Sequence, residues 1–526
     1  MACLGVFVAY LPVTTVAVSL PAIQSALHAS TAQLSWVQDA FVLPMAAFIL
    51  TAGVFGDVHG RKKVFQAGLL FSAAGAAVAL SAQSVQVLWI GQALAGLGAA
   101  TLLPTTLALI SHAVPDQRER GKFIGLWATA LMAALAVGPL LAGVILDHAS
   151  WRWIYLISVP VPLLALGVAA RLLPDSRAPH GRKLDWPGQL TATLAITALV
   201  YGVIEGGAGS FTDVKVMVAL FTAVVGGVAF VLAELRSESP MLDLTLFRSP
   251  AFTATTLVAM ITFLALIGFF FLLSLYFGLV QQLDTLQAAL RLLMVTAAAI
   301  VVGQPAGRLM HRVTPRVLIT GGLLVISAAL FSLTGVDADT SFASIAWRLA
   351  LLGLGIGTVL TPMTATAVAS VPYQQAGMAA AGNNAFRQVG GALGPAVLGA
   401  LLTTKALDTL PGHLTDAGVT GATQRSIVST ADAGGLGAVA RMNLGADTGR
   451  ALGALGDSFL DGMRLCLVVA GALTLLAALV CVLLLRRPRQ ESGDMAAPVA
   501  GANTAAAAAG SPTARVVAAV DPAPNR

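Results

Sequence analysis

The sequence is poor in charged residues, and this absence decides the class of protein. Only 10% of the 526 residues are Asp, Glu, Lys or Arg, whereas 57% are hydrophobic and the mean hydropathy is +0.85. A soluble globular protein carries about 25% charged residues. This composition therefore excludes an ordinary soluble enzyme or binding module and indicates a chain that spans the lipid bilayer.

Cysteine, tyrosine and nucleotide-binding motifs are also scarce. The three cysteines, Cys3, Cys466 and Cys481, lie in apolar surroundings, and their spacing offers neither a disulfide framework nor a metal site. No GxxxxGK[ST] loop is present, so we expect no ATP drive, no enzyme chemistry and no cofactor. The net charge of +6 does not indicate nucleic acid, because the cations lie between apolar runs and no basic face with stacking aromatics is present.

Long apolar runs fill most of the chain. A helix needs about 20 apolar residues to cross a hydrocarbon core of roughly 30 Å. On this criterion we predict an all-α polytopic membrane protein with about fourteen transmembrane helices. With 53 glycines and only 5 tyrosines, small residues must mediate much of the helix packing. The predicted spans lie near 4–26, 34–55, 64–83, 86–110, 123–146, 153–173, 187–206, 214–234, 251–278, 286–306, 317–335, 345–368, 379–403 and 459–485.

Connecting segments that are rich in Lys and Arg alternate along the chain with segments that are poor in them. Cytoplasmic loops carry an excess of these cations, so the rich side is expected to be cytoplasmic, with both termini there. The first span lacks the basic start and cleavage site of a signal peptide, and we expect it to be retained. The Ala- and Gly-rich composition is typical of GC-rich bacterial genomes and favours a bacterial inner membrane. The rich segments lie at 61–63, 118–122, 171–183, 236–248, 308–316 and 486–489.

The predicted spans and loops divide the chain into four parts. A weak internal repeat favours two repeated halves. The segment Gly307–Arg316 resembles Gly53–Lys62, and it too lies between two spans. We predict an N-terminal six-helix bundle at 1–173, a linker with two extra spans at 174–250, a second bundle at 251–486 with a polar external loop at 404–456, and a disordered cytoplasmic tail at 487–526.

The segment Gly56–Phe65, GDVHGRKKVF, is a short basic link between the second and third spans. Its two glycines permit a tight reversal. Asp57 can accept hydrogen bonds from the start of the following helix, or it can pair with Arg61. The residues alone leave two interpretations open: a turn that only orients the protein, and a contact that takes part in function.

Ionisable residues inside spans need an explanation, because burying one at a helix centre costs about 2.5–3.5 kcal/mol on insertion scales. Asp39 is the clearest case and the only acidic residue within the first six predicted spans. It either faces a cavity, where it takes up and releases a proton, or stays solvated at the outer interface. We favour the first interpretation, because intramembrane carboxylates are rare and usually face a cavity.

Glu205 and Arg387 are less clear. Glu205 ends the seventh span just before two glycines, so we expect it at the water interface, with a place in the pathway as the alternative. Arg387 lies early in the thirteenth span. It either snorkels to the cytoplasmic headgroups or pairs with a substrate anion or a carboxylate, and the sequence does not decide between them.

The fifth span contains a Gly138-Pro139 pair. Proline removes a backbone donor and clashes with the preceding turn, so we predict a kink there. Ala134, Gly138 and Ala142 place small residues on one face, where a neighbouring helix can approach closely.

Taken together, these patterns resemble the major facilitator superfamily, and within it the fourteen-span drug:proton antiporters. Trp36–Phe41, WVQDAF, is similar to the second-helix signature WVxDAY of that group. Gly138, Pro139 and Gly143 match its fifth-helix GPxxGG motif. The loop motif GxLaDrxGrk is matched at Gly53, Asp57, Gly60, Arg61 and Lys62.

The resemblance implies a secondary active transporter that exports small, partly apolar compounds such as drugs, antibiotics or natural products. It implies proton antiport, alternating access, a loop motif that holds the two halves together, and a monomer whose partners are substrate, protons and lipid. A gradient-independent facilitator is the alternative. A membrane sensor without transport is disfavoured, because the sequence shows no signalling domain.

Two positions depart from the family pattern. Pro12 stands where the first helix usually carries an acid, and Gln92 stands where the fourth helix usually carries an arginine. Losing only one of the two would leave an unpaired buried charge, which is strongly unfavourable. Their joint absence suggests either that Asp39 carries more of the proton coupling or that coupling is altered.

Overall fold

The computed structural model describes residues 1–27, 29, 31–114, 117–173, 184–208, 210–372, 375–434, 439, 442 and 445–485. Across these residues the chain is helical and has no strand. The described part of the chain contains 14 helices that are long and apolar enough to cross a membrane, which confirms the predicted fold class. The predicted disordered tail at 487–526 lies outside the described residues, as does most of the basic segment 171–183.

The first six spans form the N-terminal half. In this half α1 packs on α5, and α4 packs on both α2 and α3. A short 3₁₀ turn at Trp151–Tyr155 leads into the last helix. The helices are α1 (Ala2–Leu27), α2 (Thr31–His59), α3 (Arg61–Leu80), α4 (Val85–Ala113), α5 (Gln117–His148) and α6 (Pro160–Leu172).

Two extra helices, α7 (Trp186–Ala208) and α8 (Val214–Arg236), follow the first half and pack on each other. Helix α7 also contacts α2 of the first half and α13 (Ala376–Asp416) of the second. Helix α8 is the least buried span, with Val218, Phe221 and Val224 exposed. Such an apolar, unpartnered face is suited to lipid contact.

The remaining helices form the C-terminal half. A π-helical turn, Tyr276–Val280, extends the first of them, so that this span runs from Pro250 to Val280. The helices are α9 (Pro250–Leu275), α10 (Thr285–Leu309), α11 (Pro315–Leu333), α12 (Phe342–Ala369), α13, α14 (Gly421–Gly434) and α15 (Thr448–Leu484).

The segment 404–456 is more helical than the sequence predicted. Helix α13 continues to Asp416, α14 occupies 421–434, and α15 begins at Thr448. The Gly, Thr and Asp residues suggested a loop. However, Ala406, Leu410 and Leu414 recur every four residues and are fully buried, which gives the extension one apolar face.

Contacts within one half recur in the other. The pairs α1–α5, α2–α4, α3–α4 and α3–α6 of the first half correspond to α9–α13, α10–α12, α11–α12 and α11–α15 of the second. Between the halves, α2–α13 corresponds to α10–α5. Two structural repeats would produce this correspondence. The bundles proposed at 1–173 and 251–486, and the similarity between Gly53–Lys62 and Gly307–Arg316, stay predictions.

Glycines bring paired helices close together at equivalent places in both halves. A Cβ added to Gly75 of α3 would lie 2.5 Å from the backbone nitrogen of Ala95 in α4. A Cβ added to Gly355 of α12 would lie 2.9 Å from the backbone nitrogen of Ile326 in α11. Backbones this close leave no room for a side chain, as the prediction of packing through small residues expects.

Candidate functional site

The GDVHGRKKVF segment lies almost wholly within two helices. Helix α2 runs through Gly56 and Asp57 to His59, and α3 begins at Arg61. The expectation that two glycines reverse the chain was wrong: only Gly60, with a positive φ of 105°, breaks the helix. Gly56 instead permits close packing, because a Cβ there would lie 3.3 Å from the Thr105 side chain of α4.

Asp57 pairs with Arg61 across this break. The Arg61 Nη2 and Nε atoms donate to Asp57 Oδ1 at 3.0 and 3.3 Å, and Nη1 donates to the Ala108 carbonyl at 3.4 Å. Of the two partners that the sequence allowed for Asp57, the structure shows Arg61. Lys62 donates to the carbonyl of Ala170 at 2.9 Å near the end of α6, where a cation is favoured.

The same motif contacts the other half of the protein. A Cβ on Gly377, at the start of α13, would lie 3.6 and 3.7 Å from the two carboxylate oxygens of Asp57. Because a helix N-terminus carries a partial positive charge, the Asp57 carboxylate is favoured there. A Cβ on Gly53 would lie 3.1 Å from Ala381 Cβ, one turn further along α13. The motif therefore lies at the contact between α2 and α13.

We predict that Asp57→Asn lowers transport while membrane insertion and expression stay normal. The change removes the charge from the Arg61 pair and from the α13 N-terminus, but it removes no span. We expect a loss of about fivefold, the factor that about 1 kcal/mol of lost stabilisation produces. Transport is measured at matched expression. Glu119→Gln is the matched control, because Glu119 forms an i,i+3 pair with Lys122 that is more than half exposed. Equal transport by wild type and Asp57→Asn would leave the motif as a turn only.

Asp39 lies on α2 with its side chain half-buried. Glu205 lies on α7, which packs on α2. Near this pair, the Trp36 and Tyr201 rings approach to 6.1 Å between centroids. No Lys, Arg or His forms an ion pair with either carboxylate in the part of the chain that the structure describes. Two neighbouring carboxylates repel each other when both are charged, and uptake of one proton relieves that repulsion.

Glu205 therefore has a neighbour that the sequence did not reveal. The two glycines after it were expected to end the helix, but α7 continues through both to Ala208. Gly206 lies close to the Phe211 ring, since a Cβ there would be 2.5 Å from the ring. Because the ring leaves no room for a side chain at this position, the packing explains why a glycine lies inside α7 here.

Pro12 and Gln92 line the same small cavity between α1 and α4, together with Ser72 and Tyr155. Gln92 is buried, and the Tyr155 hydroxyl has no hydrogen-bond partner within the described residues. The acid and the arginine of the family pattern would thus have faced one cavity. Because both are replaced, none of the described residues that line the cavity is charged.

Arg387 lies in the first third of α13, and its side chain is fully buried within the protein. The snorkelling alternative was therefore wrong. Its Nη2 donates to Thr364 Oγ1 at 2.8 Å and to Asn383 Oδ1 at 3.3 Å, and its Nη1 donates to Asn384 Oδ1 at 3.1 Å. No carboxylate pairs with it among the described residues.

The surroundings of Arg387 come from both halves. Its guanidinium carbon lies 4.9 Å from the Phe263 ring centroid of α9 and 5.5 Å from the Trp127 ring centroid of α5. Beside it, Gln388 Nε2 donates to the Tyr10 hydroxyl of α1 at 2.7 Å. One signal of this cluster was present in the sequence, namely the polar residues Asn384 and Asn383 three and four positions before Arg387 in an apolar helix. The rings were not identifiable without the fold.

Gly138 and Gly143 place α5 between two helices. A Cβ on Gly138 would overlap Thr14 Oγ1 and lie 2.9 Å from Thr15 Oγ1, both on α1. A Cβ on Gly143 would lie 2.9 Å from Leu286 Cα on α10 of the other half. Helix α5 continues through Pro139 without interruption. The small face predicted at Ala134, Gly138 and Ala142 therefore corresponds to a close helix contact.

The sequence profile described as Major Facilitator Superfamily matches residues 2–395 of this chain. The chain belongs to the major facilitator superfamily. As a member of that superfamily it is a multi-pass membrane transporter and not an enzyme.

Bacterial exporters are among its relatives. The tetracenomycin C resistance and export protein of Streptomyces glaucescens is 32% identical over 484 residues, covering 91% of this chain and 89% of the relative. The multidrug efflux pump LfrA of Mycolicibacterium smegmatis is 30% identical, covering 90% and 93%. The multidrug resistance protein Stp of Mycobacterium tuberculosis is 34% identical, covering 78% and 76%.

Solved structures share the fold. The human organic anion transporter MFSD10 superposes with a TM-score of 0.62 at 14% identity, covering 91% of this chain and 97% of that one. An inward-facing bacterial homologue of the human lysosomal transporter Spinster gives a TM-score of 0.59 at 17% identity, covering 93% and 97%. At these identities the likeness supports the fold alone.

Proposed function

We propose that this protein exports small, partly apolar compounds from the cytoplasm by proton antiport and alternating access. The observation that carries the proposal is the pair of half-buried carboxylates Asp39 and Glu205 on the packed helices α2 and α7, near the Trp36–Tyr201 contact and without a paired cation in the described part of the chain. The names of its relatives indicate drugs, antibiotics or natural products as the compound class.

In this proposal the carboxylate pair holds the transported proton. When one carboxylate takes up a proton from the outer side, the repulsion between Asp39 and Glu205 is relieved. When the conformation changes and exposes the pair to the cytoplasm, the proton leaves. Asp39 carries this role within the first half because Pro12 and Gln92 leave no charge in the cavity between α1 and α4.

Alternating access uses the contacts between the two halves. In the present conformation, the halves contact where Asp57 approaches Gly377 and where Gly121 of α5 approaches Gly307 of α10. A Cβ on Gly307 would lie 3.1 Å from the Gly121 carbonyl oxygen. Opening of the basic-loop side requires both contacts to separate, so the Asp57 motif acts as a gate that closes this side.

A gradient-independent facilitator is the second candidate, and the uncharged cavity at Pro12 and Gln92 favours it. Accumulation assays in cells with and without the gene, using tetracenomycin C as the first probe, separate the two functions. The exporter lowers the internal concentration below the external one, and an ionophore that collapses the proton gradient abolishes the difference. A facilitator keeps equilibrating the probe after the collapse. No effect of the gene in either condition would contradict both functions for this probe.

We also propose that the basic-loop side is cytoplasmic, on the basis of the alternating Lys and Arg content. His59 and Thr415 provide the test, because both are exposed and they flank opposite ends of the spans. With the native cysteines replaced, a cysteine introduced at Thr415 should react with an impermeant reagent outside the cell, and one at His59 should not. The reverse labelling pattern would contradict this orientation.

A further inference from the structure

Arg387 is a buried cation for which the described residues provide no anion. Its side chain is fully buried, and the groups around it are the neutral oxygens of Thr364, Asn383 and Asn384 and the hydroxyl of Tyr10. None of the ion pairs among the described residues includes Arg387, and the nearest motif carboxylate, Asp57, pairs with Arg61 instead. A buried charge is costly unless it is paired. The site therefore favours an added anion.

Two buried N–H groups near this charge also lack acceptors within the described residues. They are Arg387 Nε and Asn384 Nδ2. The orientation of the Asn384 amide follows from its contact, because Oδ1 accepts from Arg387 Nη1, and a flipped amide would place two donors face to face. The cluster thus offers positive charge and free donors. Oxygen atoms of an anion satisfy all of these together.

The rings that flank Arg387 indicate the rest of the ligand. Phe263 comes from α9 and Trp127 from α5, so the two faces belong to different halves. The Trp127 indole nitrogen donates to Thr106 Oγ1 at 3.0 Å, which leaves its ring as an apolar surface beside the guanidinium. Aromatic side chains favour an aromatic or otherwise apolar body. Because Arg387 is sealed in the present conformation, the ligand enters only when the halves separate.

We propose that Arg387 and Asn384 bind the oxyanion of the transported compound, so that the substrate class is aromatic compounds carrying one ionised acid, such as a carboxylate, phenolate or enolate. The proposal rests on the proposed export function and specifies its substrate. The guanidinium and the Asn384 amide contact the oxyanion, and Trp127 and Phe263 contact the aromatic body. Binding provides the missing counter-charge at the interface between the halves.

Equilibrium binding to purified protein in lipid nanodiscs, without any gradient, tests this proposal. The probes are 1-naphthoate and 1-naphthamide, which share a ring system and differ in charge. Wild type should bind the carboxylate about tenfold or more tightly than the amide. Arg387→Gln should remove this preference by weakening naphthoate alone, and Arg387→Lys should keep part of it. Arg291→Gln is the control. Arg291 lies near the start of α10, where it donates a hydrogen bond to Gln281, so this substitution should leave the preference for naphthoate intact.

Each outcome decides the matter. Equal affinity of wild type for the two probes, or no binding of either, overturns the proposal. If Arg387→Gln weakens the binding of both probes equally, and a folded Arg387→Lys does the same, the role of Arg387 is structural and the proposal is overturned. If the Gln variant does not fold, the wild-type preference and the Lys variant decide. Failure of proton coupling is distinguishable, because Asp39→Asn should keep naphthoate binding while losing gradient-driven export.

Discussion

Asp39→Asn is expected to abolish uphill export and to leave downhill movement of the substrate largely intact. The asparagine mimics a permanently protonated carboxyl group, so the site no longer alternates between charged and neutral forms. The asparagine neither takes up nor releases a proton, so movement of the substrate is no longer tied to proton entry at this site. We expect gradient-driven transport to fall by at least about tenfold, the factor that corresponds to about 1.4 kcal/mol. Asp39→Glu keeps an ionisable group and should retain part of the activity.

The measurement is initial-rate transport in membrane vesicles with and without an imposed proton gradient. Asp213→Asn is the matched control. Asp213 is an exposed cap of α8 that accepts from the Lys215 backbone nitrogen at 2.8 Å, and asparagine caps helices as well as aspartate does. Glu205→Gln should also change the dependence on the gradient, because it removes the neighbouring charge. Wild-type rates in Asp39→Asn would reject Asp39 as the coupling site and favour the facilitator.

Gly138→Ala is expected to have the second large effect. The added methyl group would overlap Thr14 Oγ1 and lie 3.0 Å from the backbone nitrogen of Thr15, so α1 and α5 must move apart. Overpacking of this kind costs about 1–3 kcal/mol. Since α5 also contacts α10 through Gly143, the displacement reaches the interface between the halves. We expect transport to fall by about tenfold, with a lower melting temperature of the purified protein.

Gly167→Ala in α6 is the control for this substitution, because a Cβ at Gly167 meets no atom within 4 Å. A second variant tests the cause. Adding Thr14→Ala to Gly138→Ala removes the nearest overlapping atom and should restore part of the stability, since residues in contact couple. If Gly138→Ala matches Gly167→Ala in both transport and melting temperature, the close contact between α1 and α5 is not required.

The spans could be predicted from the sequence because each depends on a local property, an apolar run long enough for the bilayer. The same criterion failed at 404–416, where polar residues conceal a buried stripe at Ala406, Leu410 and Leu414. The role of Gly56 was also misjudged. In a basic link a glycine suggests a turn, but the space that Thr105 leaves there is visible only in the packed structure.

The site was only partly predictable. Asp39, Glu205 and Arg387 stood out because ionisable residues are rare in spans. Their surroundings did not, since Glu205 lies on α7, which packs on the helix of Asp39, and Trp127 reaches Arg387 from the other half. Helix order alone does not specify such contacts. The complete burial of the Arg387 side chain likewise depends on how the two halves pack.

We propose that proton entry through the Asp39 site drives export. The most direct measurement uses purified protein in proteoliposomes, with an imposed pH gradient and tetracenomycin C as the probe, followed by an ionophore. We predict that wild type moves the probe above its equilibrium distribution, that the ionophore returns it to equilibrium, and that Asp39→Asn never exceeds equilibrium. Movement to equilibrium alone, at the same rate with and without the gradient and in both proteins, would contradict proton-driven export.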